Sequence, residues 1–144
     1  MVDILVVGGG IAGLSVAGRL SKSAKVTLLE AEENLGYHSS SRSAAAFIED
    51  YGNEVIREFN SASKSFLSKD GVDVLSPRGS LILGKKDEKY AFKEQCSSFA
   101  HNEISVSDAR SLIEIINNKS VEYAGYKEDI FDIDTDKLLQ HFTK

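Results

Sequence analysis

Val2 to Glu30 reads V-D-I-L-V-V-G-G-G-I-A-G-L-S-V-A-G-R-L-S-K-S-A-K-V-T-L-L-E, and no other stretch restricts the fold as strongly. A short apolar run enters Gly8-x-Gly10-x-x-Gly13, a helical pattern follows, and a second apolar run ends on an acid. Nearly continuous apolar runs of this length suit parallel strands covered on both faces. The expected unit is a strand over 2–7, a helix from about Ile11 to Ser21 and a strand over 25–30. This predicts an α/β fold with a Rossmann-like βαβ core.

Each glycine has its own task in such a unit. Gly8 permits the tight turn off the strand, Gly10 lets backbone approach a pyrophosphate, and Gly13 lets helix and strand pack closely. The unpaired N–H groups of Ile11 and Ala12 at the helix start face the phosphate charges. Glu30, seventeen residues after Gly13, is placed to accept hydrogen bonds from the adenosine ribose, and its charge disfavours a 2′-phosphate. NAD and FAD both satisfy this unit.

The 144 residues carry a net charge of −5, which offers no general attraction to nucleic acid or anionic lipid. One domain of this length buries roughly two-thirds of its unfolded surface. A single cysteine, Cys96, excludes an internal disulfide and suits a reducing, cytoplasmic setting. No apolar run reaches the roughly eighteen residues of a membrane span. His101 and His141 have no partner at metal-ligand spacing, so no metal site is expected. Asp132, Asp134 and Asp136 lack the glycine and glutamate of a calcium loop and read as a helix entry. Cys96 reads as a plain buried thiol.

Further along, 42–48 is small and apolar and predicts a short buried helix. The apolar spacing over 53–68 predicts an amphipathic helix closed by Lys69-Asp70-Gly71. A strand over 72–75, a turn at Ser76-Pro77-Arg78-Gly79 and a strand over 80–83 follow. The pattern then predicts a helix over 87–99, an extended 104–106, a Ser107-capped helix over 108–116, a strand over 121–126 and a helix from Thr135 to about Phe142. The expected division is a nucleotide-binding, Rossmann-like part over 1–75, the start of a strand-rich region over 76–131, and a helix over 132–144 returning to the nucleotide-binding part. Such an architecture is incomplete, with an open sheet edge and an exposed apolar face.

Gly36-Tyr37-His38-Ser39-Ser40-Ser41-Arg42-Ser43-Ala44-Ala45-Ala46-Phe47 supplies hydroxyl and guanidinium donors followed by tiny residues. This suits a pyrophosphate gripped from a second side and a flat ring lying close to backbone; a polar surface loop with Arg42 paired to Glu32 or Glu33 explains the same residue types. The fingerprint with Glu30, this segment, Ala62-Ser63 and Phe66, Ser76-Pro77-Arg78 and Asp132-Ile133-Asp134-Thr135-Asp136 together resemble the amino-terminal part of the D-amino acid oxidase and dehydrogenase (DAO) family of FAD-dependent oxidoreductases, nearest its D-arginine dehydrogenase branch. The resemblance is looser between Lys85 and Asn118.

The resemblance implies FAD as cofactor, with Gly8, Gly10, Gly13, Glu30 and Arg42 at its ADP half and Ser41, Ser43, Ala44 and Ala45 along pyrophosphate and flavin. His38 matches a histidine near flavin and substrate that positions the amine or accepts a proton. Phe47 stands where close relatives carry a hydroxylated aromatic, a departure that bears on D-arginine specificity. The implied reaction oxidises the C–N bond of a D-amino acid or related small-molecule amine by hydride transfer to flavin. The carboxylate-binding arginine and the last nucleotide-binding strands of the family lie beyond residue 144. The chain is therefore expected to be a fragment or to pair with a second chain supplying the other half, and alone to bind FAD weakly without turnover. A non-catalytic nucleotide-binding subunit or remnant, and a fragment of an NAD-dependent dehydrogenase, are the alternatives.

Overall fold

Strand β1 (Ile4–Val7) leads through the glycines into helix α1 (Ile11–Leu20), and β2 (Val26–Leu29) returns beside β1. This is a computed structural model describing residues 2–143. The strands are parallel in the register Ile4↔Val26 to Val7↔Leu29, and α1 packs against both. The right-handed β–α–β crossover that such a parallel pair requires makes the Rossmann-like core expected from sequence. Burial alternates along β1, and Leu5 and Val7 are 57% and 79% exposed. Thus only one face of this strand is covered among the described residues, not two, because residues alternate across a strand and α1 lies on one side.

The chain continues through a 3-10 turn (Ser39–Ser41) to β3 (Ala46–Ile48), α2 (Glu54–Leu67), β4 (Leu75–Pro77) and β5 (Ser80–Gly84). Helix α3 (Lys89–Ser98), β6 (Asn102–Ile104), α4 (Val106–Leu112), β7 (Tyr123–Lys127), β8 (Ile130–Ile133) and α5 (Thr135–Thr143) complete it. Two compact units result. The first comprises residues 1–46, 66–75 and 133–144; the second comprises 47–65 and 76–132. The division differs from the sequence reading in grouping 47–65, most of α2 included, with the strand-rich part. The three short strands β3, β8 and β4 hydrogen bond in that order.

In unit 1, α5 lies along α1 so closely that a Cβ on Gly18 would meet the Phe142 carbonyl oxygen at 2.6 Å. Asp134 caps α5 through its Oδ1, which accepts from Lys137 N–H at 2.9 Å. In unit 2, β7 is the centre of an antiparallel β5–β7–β6 sheet. Ala109 and Ala124 form its core with Ile116, and Leu81, Ile104 and Val121 pack on them. Phe92 of α3 stacks on Tyr123 of β7 at 5.4 Å between ring centroids. Asn60 of α2 donates to the carbonyls of Ile48, Glu49 and Tyr51, and Lys64 and Lys127 pair with Glu49 and Asp50.

Three local expectations change. Residues 42–48 form a turn and strand β3 instead of a helix: Ala45 adopts φ +44°, and its N–H donates to Ser43 Oγ at 3.0 Å, a local bond that competes with helix. Helix α4 starts two residues early, because Ser105 and not Ser107 is its cap. Ser105 Oγ accepts from Asp108 N–H at 3.0 Å, and the Ser-x-x-Asp spacing favours that start. Pro77 lies within β4, which shifts the turn to Arg78-Gly79, whose N–H groups both donate to the Ile130 carbonyl; strand β8 carried no sequence signal.

Candidate cofactor site

The site is built on the carboxyl ends of β1 and β2. Gly8 holds φ +104°, a left-handed conformation that favours glycine, while its N–H donates to the Leu29 carbonyl at 2.7 Å. A Cβ on Gly13 would lie 1.9 Å from the Gly8 carbonyl oxygen, so the helix can approach the turn only with glycine there. Gly10 is the extended N-cap residue of α1, it offers no side-chain cap, and no acid occupies the first turn. The helix start therefore combines positive dipole with little negative charge. Ile11 and Ala12 form its first exposed turn.

The acceptor at that helix start comes from far along the chain. Ile11 N–H donates to Ser40 Oγ at 3.0 Å, and a Cβ on Gly10 would come within 3.2 Å of the same oxygen. A hydroxyl oxygen thus stands at the helix terminus where a phosphate oxygen is favoured. Ser40 is a site residue that residue typing passed over in favour of Ser41 and Ser43.

Glu30 lies where the fingerprint predicts, at the end of β2. Its Oε2 accepts from Gly9 N–H, and Oε1 accepts from Ala31 and Glu32 N–H at 2.8 and 3.1 Å. The Gly9 bond, then that from Glu32, hold the carboxyl below its ordinary range, because donors favour the ionised form. Gly9, the central glycine absent from the spacing rule, has its own reason: a Cβ there would meet Glu30 Oε2 at 2.9 Å. The Gly8-Gly9-Gly10 run was the available signal.

Gly36 N–H donates to the Gly9 carbonyl at 2.8 Å and its own carbonyl accepts from Ser41, tying the second segment to the first. Its φ of +70° and a Cβ position 2.6 Å from Leu139 Cδ1 require glycine. Beyond it, Ser39, Ser40, Ser43 and Ala45 line a cavity of about 330 Å³ with Ile11 and Leu139. Its lining combines the serine hydroxyls with the aliphatic side chains of Ile133 and Leu138. Ser41 and Ala44 are exposed beside this cavity's serines in sequence and do not line it.

Arg42 and His38 turn elsewhere. The Arg42 guanidinium lies 4.9 Å from the centre of the Tyr37 ring, and its Nε–H donates to the Tyr37 carbonyl at 3.0 Å. It pairs with neither Glu32 nor Glu33. His38 is exposed and its Nε2 lies 3.0 Å from Glu32 Oε1, on the side of Glu30, whose ionisation its charge favours. Phe47 is buried at 6% exposure. No group of three metal-ligating side chains occurs among the described residues, and no helix among them is long and apolar enough to cross a membrane.

A helix start whose own N-cap residue brings no side-chain acceptor, behind a parallel strand, a carboxylate held by three N–H donors at the end of the next strand and a serine-lined cavity beside them define a dinucleotide-binding βαβ protein. The chain belongs to the FAD dependent oxidoreductase (DAO) family, whose model it matches over residues 3–144. Its cofactor is FAD, and the α1 start with no cap from Gly10, the Ser40 oxygen on Ile11 N–H and the close approach at Gly10 fit the pyrophosphate. The fold is similar to L-α-glycerophosphate oxidase from Mycoplasma pneumoniae (TM-score 0.77, 18% identity, 98% of this chain and 41% of that one). It is also similar to L-proline dehydrogenase from P. horikoshii (0.75, 20%, 98% and 40%) and to glycine oxidase from Bacillus cereus (0.69, 19%, 99% and 42%). The chain spans about two fifths of the length of these structures.

Proposed function

We propose that this chain is the FAD-binding part of a flavoenzyme that oxidises the C–N bond of an amino acid or related amine. The observation that carries the reading is the start of α1: its N-cap has no side chain, and Ser40 supplies an oxygen 3.0 Å from Ile11 N–H. In this reading Gly8, Gly10 and Gly13 bring backbone to the pyrophosphate, and the Ile11 and Ala12 N–H groups donate to it. Glu30 accepts from a ribose hydroxyl; a carboxylate has about four acceptor sites, and three N–H groups already use it. Ser40 and Ser43 bring hydroxyls to the second side and Ala45 keeps the approach open, whereas Ser41, Arg42 and Ala44 would reach the cofactor only by leaving the places they hold here, Arg42 that on the Tyr37 ring. When bound, FAD supplies the two-electron oxidation, accepting hydride from the substrate carbon.

The amine substrate is supported by the names of several similar structures, glycine oxidase, L-proline dehydrogenase and L-amino acid deaminase, while the first acts on a glycerophosphate. The D-amino acid assignment rests on the resemblance carried by the fingerprint with Glu30 and the Gly36–Ala45 segment, with the later motifs corroborating it, and Phe47 in place of a hydroxylated aromatic argues against D-arginine itself. His38 would position the amine or accept a proton on the family resemblance. Its contact with Glu32 and its proximity to Glu30 support instead a place at the adenosine end. The substrate carboxylate's partner would come from residues outside these 144, on the same polypeptide or on a second chain, and the single cysteine suits a cytoplasmic setting.

Fluorescence titration of the 144-residue chain with FAD, FMN and NADH tests the cofactor reading. Weak, saturable FAD binding competed by ADP, with none for NADH, is expected. NADH binding more tightly than FAD would overturn it. D-amino acids, glycine, sarcosine and proline assayed with the longer reading frame then define the substrate.

A further inference from the structure

In unit 2, helix α3 ends in a conformation that its sequence resists. Ala100 takes φ +51°, a left-handed position where glycine is the usual occupant. The next residue closes the turn: His101 N–H donates to the Cys96 carbonyl at 2.9 Å, and Ala100 N–H to that of Ser97. The His101 side chain is then carried inward, leaving the residue 9% exposed. Its Nδ1 lies 3.2 Å from the Phe99 carbonyl oxygen, so Nδ1 carries the proton and Nε2 is the bare nitrogen. Nε2 is buried without a partner. Gly125 of β7 makes the room: a Cβ there would lie 2.6 Å from Cys96 Sγ and 3.5 Å from His101 Cβ.

We propose that His101 is a proton-operated catch on the corner between α3 and β6. The neutral ring stays packed against Gly125 and holds Ala100 in its left-handed conformation; a ring that takes a proton at Nε2 leaves, and the corner opens and exposes Cys96. The surroundings offer that charge nothing. From α3 the neighbour is the Cys96 thiol. From β7 it is the Lys127 ammonium, which is paired with Asp50. Glu103 of β6 is engaged by Lys93 at 3.9 Å, and the ring's edge-on neighbour is Phe99, itself stacked on Tyr51. Burial, then Lys127, push the His101 pKa down from 6.5 against the Phe99 carbonyl bond. The closed form therefore resists the proton that an open form accepts. The closed state is fully favoured above 6.5, and its advantage falls as pH drops below that value, by up to about tenfold per pH unit in the open-to-closed ratio.

Cys96 is the only cysteine and reports the opening. Its reaction with dithiodipyridine would be followed from pH 7.5 to 5.5 in the full chain, each rate divided by that of the same chain in urea. The normalised rate is expected to be level above pH 6.5 and to rise several-fold to tenfold by pH 5.5, and to lose that rise in H101F. Should H101F fail to fold, H101N serves the same comparison, and hydrogen exchange of Asn102 to Ile104 in the unaltered chain, each rate divided by that of the unstructured amide at the same pH, should rise over the same range. A level normalised rate in the unaltered chain, or an equal rise in the folded variant, would overturn the proposal.

Discussion

The glycine turn over 8–13 and the loop over 36–48 meet at the start of α1, and different physics brings each of them there. In the turn, the decisive feature is an atom that is missing: a Cβ on Gly13 would sit 1.9 Å from the Gly8 carbonyl oxygen. Almost every constraint acts within a few residues. The loop depends on partners far away in sequence. Gly36 binds Gly9, Ser40 caps Ile11, and the Ala45 carbonyl accepts from Ile133 N–H at 2.7 Å. A locally determined element is robust and readable; an element determined at a distance has its shape only when its partners are in place.

The sharpest break of this contrast is Gly13→Ala. Overpacking against backbone costs about 1–3 kcal/mol and at times more, and here neither atom can yield without moving α1. Thermal unfolding should show the loss, and FAD fluorescence quenching should disappear with it. An alanine variant with unchanged melting and FAD binding would mean that the turn is not built by close approach.

A smaller change is expected for Ser40→Ala, which removes the side-chain oxygen that accepts from Ile11 N–H at the start of α1. Loss of such a cap costs about 1 kcal/mol, or about 4 °C in melting temperature for a chain of this size. Saturating FAD should narrow that difference, because a phosphate oxygen replaces the hydroxyl. A gap that persists undiminished would separate Ser40 from the cofactor's place.

The mildest expected effect concerns Glu30. Its carboxyl is held below the ordinary value of 4.5, first by Gly9, so its tie to the turn is complete above that pH and is lost as pH falls through the folded value. The protection of the Gly9 amide, its exchange rate relative to that of an unstructured amide at the same pH, should fall as the solution is acidified from pH 6 to below 4.5, and in Glu30→Gln that pH dependence of the protection should vanish. Equal profiles would show that the carboxylate does not hold the turn.

The unequal readability of the site follows from the same contrast. Gly8, Gly10, Gly13 and Glu30 could be assigned from spacing, since the strand, turn and helix around them are decided by nearby residues. Three consecutive alanines after Arg42 favour helix by propensity, yet 46–48 is strand β3; the Ser43–Ala45 bond and the pairing of the three short strands outweigh a weak local preference. Ser40 could not be told from Ser39 or Ser41 by residue type, as only the folded chain shows which hydroxyl reaches Ile11. Arg42, typed as a phosphate donor, is seen on the Tyr37 ring, and His38 beside Glu32. Long side chains choose partners by tertiary placement.

By itself the sequence determined that this chain forms a βαβ unit with a glycine turn at the helix start and an acid at the end of its second strand. Those features rest on missing Cβ atoms, strand periodicity and short-range caps, all properties of neighbouring residues. Tertiary structure alone decided which serine caps α1, that 47–65 group with the strand-rich unit, and that His101 is buried with a bare nitrogen. Each of these depends on chain segments tens of residues apart sharing one volume, where the fit of side chains and the burial of charge outweigh local propensity.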